Sequence, residues 1–171
     1  MDFGQNLQAF SLFHGATDFG GGIEKGKAAP PKRVLKDRRP GGTNLKARTQ
    51  HGWDLDDFEF SGKGLTLALV AITKGRTLDT QQIVLRSAHR DEWTGETRTL
   101  EIEAWGRTEE HDIFGELQGE EDTEWTIKFV PALATWRYGG TEAYHYNIRT
   151  GEVRVDGEDE TEPTRGALGR S

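Results

Sequence analysis

Five histidines, His14, His51, His89, His111 and His145, are the side chains best suited to bind a metal or move a proton near neutral pH. No two share the short spacing that lets a helix offer a pair of ligands to one ion, and each lies near the edge of an element. They read as surface residues. The acidic run Glu116, Glu120, Glu121, Asp122 and Glu124 could gather oxygens around calcium, but it lacks the alternating ligands, central glycine and terminal glutamate of a calcium loop. A solvated acidic connection is the better reading. Gly20-Gly21-Gly22 has no Gly-Lys-Ser/Thr ending, and no serine sits in a strained elbow. No catalytic residue, no metal site and no cofactor is expected.

Charge is the other resource. Between Glu24 and Thr49 stand nine cations, Lys25, Lys27, Lys32, Arg33, Lys36, Arg38, Arg39, Lys46 and Arg48, against Glu24 and Asp37. That segment carries a net +7 within a chain of net charge -7, so the remainder carries -14. Segregated charge of this kind favours self-association, a basic arm on an acidic neighbour, and a solvated loop is the plainer alternative. Nucleic acid is a third possible partner. However, the stretch from Lys25 to Arg48 holds no aromatic residue on which bases could stack.

The elements that must position these charges follow from composition and pattern. A length of 171 residues suits one domain, while a hydrophobic share of 33% is low for a self-sufficient globule and points to a subunit that packs against neighbours. With no cysteine there are no disulfides or thiolate sites. No apolar run approaches the roughly 20 residues of a membrane helix, so no membrane insertion is expected. The start, MDFGQNLQAF, lacks the basic region of a signal peptide.

Residues 6–14 read as a first strand, and 16–42 as a long Gly-, Pro- and Lys-rich arm, functional or mobile. WDLDDFEF, 53–60, reads as one bulged strand, with a phase change at Asp56-Asp57. Leu65 to Thr73 is the only candidate helix, started by Ser61, although a short buried strand fits its pattern nearly as well. Residues 82–89 form a strand, and Trp93-Thr94-Gly95-Glu96 a turn. Leu100, Ile102 and Ala104 then alternate with Thr99, Glu101 and Glu103 in a half-buried antiparallel pattern. Trp125, Ile127 and Phe129 keep one face until Pro131, where the phase flips to Val130, Ala132, Ala134, Trp136 and Tyr138. A strand of that length must bend between sheets or project from the domain. A hairpin through Thr150-Gly151 closes the domain, 1–157, and the acidic tail 158–171 is expected to be flexible or ordered by a partner.

In order and spacing, these pieces resemble the tube proteins of contractile phage tails, a family related to R-type pyocin tubes. The match runs over residues 6–157 and is strongest at Thr94-Gly95-Glu96, Gly106-Arg107 and Gly119-Glu120-Glu121-Asp122-Thr123-Glu124. The resemblance implies a mainly β subunit, an antiparallel sandwich or barrel-like body with one flanking helix and a long arm. Six copies would close a ring with a shared inner β-barrel, and rings would stack into a tube. The arm would reach the adjoining ring, here through Lys25, Lys27, Lys32, Arg33, Lys36, Arg38 and Arg39. An acidic lumen or inter-subunit surface would draw on Glu101, Glu103, Glu109, Glu116, Glu120, Glu121 and Asp122, since like charge keeps passing DNA from sticking.

Implied partners are further copies, a sheath, baseplate or hub initiators, a tape-measure protein and a tail terminator, with DNA only as transiting cargo. The implied location is the virion tail, assembled in the host bacterial cytoplasm. A bacteriocin or secretion-type tube is the near alternative, and a small basic-armed nucleic-acid-binding β-domain the remote one.

Overall fold

A computed structural model describes residues 5–42, 44–117, 119 and 122–169. The chain is mainly β. Alternating apolar residues build a meander of β7 (Gln81–Asp91), β8 (Thr97–Asp112), β9 (Glu124–Tyr138), β10 (Thr141–Asn147) and β11 (Glu152–Val155). β1 (Gln5–His14) pairs antiparallel with β7, and the two-residue strands β2 (Thr17–Asp18) and β12 (Glu158–Asp159) end the sheet on either side.

The long strand β9 does bend, at the expected place. Trp125, Ile127 and Phe129 are buried on one phase, and Ala134 and Trp136 on the other. The register explains the change. Trp105 of β8 faces Leu133 while Gly106 faces Pro131, leaving Ala132 unpaired, and Glu109 is skipped on β8 opposite Phe129 and Lys128. One bulge on each strand turns the ladder. Gly106 is required there, because a Cβ would sit 2.1 Å from the Val130 carbonyl oxygen and 2.7 Å from Phe129.

Before the bend, the second edge of β9 pairs with β6 (Phe58–Lys63), which carries β3 (Ile23–Lys27). Beyond the bend that edge pairs with β10. One strand thus serves two layers. The β3–β6 layer closes over the inner faces of β7 and β8. A Cβ on Gly26 would lie 3.4 Å from Phe60 and 3.7 Å from Leu85. The Trp136 indole N–H donates to the Ala28 carbonyl at 3.1 Å, and its ring meets Phe58 edge-on at 5.9 Å. The core between the layers runs through Leu12, Phe58, Phe60, Ile83, Ile102, Ala104, Phe129 and Trp136.

Three expectations need correction. The 16–42 arm is not irregular throughout, since β3 is a strand of the main sheet. WDLDDFEF is split: Trp53 and Asp54 end β5 (Ala47–Asp54), whereas Phe58 begins β6 in a different sheet. β5 pairs only with β4 (Lys32–Arg38), making a separate two-stranded ribbon. The helix α1 spans only Ala68–Ile72, buries Leu69 and Ile72, and has Leu67 at its N-cap, while Ser61 lies in β6.

A second short helix, α2 (Glu162–Ala167), follows β12. Residues 158–169 of the tail are held against β11 by local charge. Arg165 contacts Asp159 and lies 3.9 Å from Glu152, and the Thr161 hydroxyl accepts the Val153 N–H at 3.1 Å. Burial pushes the Asp159 carboxyl up, but the Thr161 N–H and hydroxyl, with Arg165, outweigh it and hold the pKa below its ordinary value.

Candidate functional site

Strand alternation sends Ile102 and Ala104 into the core and Glu101 and Glu103 to the outer face of the meander. There the two glutamates do not stand free. Arg86 donates to Glu101 at 2.8 Å, Arg137 reaches Glu101 and Glu103 at 3.3 Å each, and Gln82 donates to Glu103 at 2.6 Å. Farther across the sheet, Arg154 joins Glu142 at 2.9 Å and Glu152 at 3.0 Å. Cross-strand register makes this ladder, because Arg86, Glu101, Arg137 and Glu142 face one another in one row over four strands. The charges of this face are paired with one another: Arg86, Arg137 and Arg154 against Glu101, Glu103, Glu142 and Glu152.

Glu109 sits at the β8 bulge, 2.6 Å from Arg107. Glu116 and Asp122 line a groove with Asp112, Glu124 and Lys63, an acidic recess at the far end of the β8–β9 pair. Glu120 and Glu121 lie outside the described residues. The acidic set is therefore spread over three places: an ion-paired face, a bulge and a recess.

The basic set is divided too. Lys25 and Lys27 belong to β3, while Lys32, Arg33, Lys36 and Arg38 lie on β4, with Arg39 just beyond it. Lys32 pairs with Asp56 at 2.6 Å, and Arg33 with Glu160 at 3.2 Å while its guanidinium lies 5.2 Å over the Trp53 ring. These contacts tie the base of the ribbon to the body. Toward the tip, Lys36, Arg38, Arg39 and Lys46 make no ion pair among the described residues, and Leu35 and Leu45 are exposed beside them.

Sequence reading missed the exposed apolar groups. Trp93 is 82% exposed at the β7–β8 tip. A groove on the outer side of the β9 bend is lined by Leu78, Trp105, Ala132, Leu133 and Ile148. Trp105 and Leu133 share the outward phase of β8 and β9 with Glu101, Glu103, Thr135 and Arg137, and an apolar residue among polar ones was the available signal.

Three of the histidines serve local structure. His14 bonds Gln81 at 2.6 Å, His89 bonds Ser87 at 2.9 Å, and His145 bonds the Thr135 hydroxyl at 2.9 Å. Burial, then nearby Arg154, holds the His145 imidazole below its ordinary pKa. Among the described residues, no group of three or more His, Cys, Asp or Glu could hold a metal ion. Nor, among the described residues, is any helix long and apolar enough to cross a membrane.

Against known proteins, the family model for phage tail tube protein FII matches residues 4–169. Among solved structures, the chain is similar to a type six secretion system protein, with a TM-score of 0.51 and 8% identity over 85% of this chain and 99% of that one. At that identity the likeness is one of fold. No curated protein matches the sequence.

Proposed function

The chain belongs to the phage tail tube protein FII family, and we propose that it builds its tube as stacked hexameric rings inside a contractile tail. It is a structural subunit of a phage tail tube, a component of the virion tail that assembles with copies of itself and with other tail parts. The observation that carries the reading is the family match over nearly the whole chain. We assign it no catalytic role.

Edge geometry supports ring closure. From Gln5 to Phe10, β1 pairs only with β7, so its second edge is open among the described residues. A neighbour's strand would satisfy those backbone groups, and a closed ring removes the edge altogether. In the stacked tube, the cations of the old arm divide their work: Arg33 and Lys32 brace the ribbon, and Lys36, Arg38 and Arg39 reach the acidic surface of the next ring. The lumen takes its negative field from the less neutralised acids, Glu116 and Asp122, more than from Glu101 and Glu103. Sheath, hub initiators, tape measure and terminator are the further partners, with DNA passing through as cargo after assembly in the host cytoplasm.

Negative-stain microscopy of the purified full chain, alone and co-expressed with its tail neighbours, tests this. Sixfold rings or tubes are expected. Persistently dispersed subunits in both preparations would overturn it. DNA within the lumen of native particles separates a phage tail from a bacteriocin or secretion-type tube built of the same kind of subunit.

A further inference from the structure

At the tip joining β7 to β8, the Asp91 carboxylate accepts the Trp93 N–H at 2.8 Å and the Thr94 N–H at 3.2 Å, and the Gly95 N–H returns to the Asp91 carbonyl at 2.8 Å. These bonds hold the Asp91 carboxyl below its ordinary pKa. The turn is thus built, yet it presents an indole that is 82% exposed. A large aromatic side chain presented on a fixed turn is a typical interface anchor, because the backbone beneath it has little conformational entropy left to lose on docking.

The apolar groove of Leu78, Trp105, Leu133 and Ile148, about 560 Å³ in volume, is a receptor of matching character. It cannot be filled by its own Trp93. Gln82 faces Trp105 across the ladder, and the nine residue steps from Gln82 to Asp91 place the tip roughly 30 Å away at about 3.3 Å per step. Charge also matches. Residues 91–96 carry Asp91, Glu92 and Glu96 with no cation, whereas the loop that supplies Leu78 carries Lys74 and Arg76; Arg149, at the groove, is already paired with Asp79.

Resting on the tube-subunit reading, we propose that Trp93 of one copy seats in the Leu78–Trp105–Leu133–Ile148 groove of the next copy. Knob and socket are different surfaces of one chain, which is the requirement for a head-to-tail contact that closes a ring or extends a stack.

The absence of cysteine makes the contact directly testable. A mixture of T94C and I148C chains, which keeps Trp93 in every copy, is assembled and treated with a short bis-maleimide; it is expected to give a cross-linked dimer that a T94C and E162C mixture does not. W93A should raise the concentration needed for assembly by roughly 30-fold or more, the size expected of an interface hot spot. W93F should retain most assembly, and the thermal midpoint should be unchanged in both. Tubes from W93A at the unmutated concentration, or equal cross-linking to positions 148 and 162, would overturn the contact. Failure of the unmutated chain to assemble counts instead against the tube reading.

Discussion

The outer face of the meander and the tip of the β4–β5 ribbon are both rich in charge, and they use it in opposite ways. On the meander, Glu101 and Glu103 meet Arg86 and Arg137 within one sheet, so the charges satisfy one another and stiffen the strands that carry them. On the ribbon, Lys36, Arg38, Arg39 and Lys46 face no acid among the described residues. An isolated two-stranded ribbon is marginal by itself in water. Charge already paired within a subunit supports the fold, and charge left without a partner is available to another molecule.

The sharpest way to break that contrast is to reverse the ribbon. Replacing Lys36, Arg38, Arg39 and Lys46 with glutamate should abolish tubes, with at least about a tenfold fall in the pelleted fraction, while stability stays within about 0.5 kcal/mol. Long tubes from this variant would erase the distinction. The reciprocal change, Glu101→Ala, strands Arg86 and leaves Arg137 with Glu103 alone. Urea titration should show a loss of about 1 kcal/mol, discounted from a fully buried pair because both arginines remain partly exposed. A neutral effect would mean the ladder is ornamental.

Salt separates the two regions more gently. Raising sodium chloride from 0.05 to about 0.5 M should weaken ribbon-dependent stacking severalfold, while the unfolding midpoint of the subunit moves little.

The smallest effect concerns His145, flanked on the meander face by Thr135, Arg137, Glu142, Glu152 and Arg154. Its folded pKa lies below the ordinary 6.5, so the unfolded chain binds the proton more readily. Its contribution to stability is full above pH 6.5 and is lost as pH falls through the lowered value. His145→Gln should therefore flatten the acid side of the stability profile. An unchanged slope there would count against a half-buried neutral imidazole.

Legibility in the sequence followed burial. β8 and β9 announce themselves because one face meets the core, and even the flip beside Pro131 could be read from the change in phase. The helix was legible through Leu69 and Ile72 but came out shorter, since only those two positions reach the core. β3 was hidden because Ile-Glu-Lys-Gly-Lys has little apolar alternation; Gly26 contributes by leaving room for Phe60 and Leu85. β4 and β5 were hidden for a different reason: neither face of the ribbon is deeply buried, so no period is imposed on it. The order in the tail depends on Arg165 meeting Asp159 and Glu152, a contact between elements that local patterning does not encode. The charges themselves were legible, but whether each one was already paired required the register.

The divided edge of β9 also sets a sequence in time. Neighbours in the meander are neighbours along the chain, so β7 to β10 can pair early at low loop-closure cost. β6 has no seat until β9 is placed against β8, and β1 must return to β7 from the far side of the ribbon. Folding should therefore run from the meander outward, with the β3–β6 layer and β1 docking last. Mutational rate analysis would show it: Ile102→Val should slow refolding, whereas Leu12→Ala should mainly speed unfolding. A subunit whose open-edged strand arrives last exposes that edge only when the rest is complete, which shortens the interval in which it can be captured by the wrong neighbour.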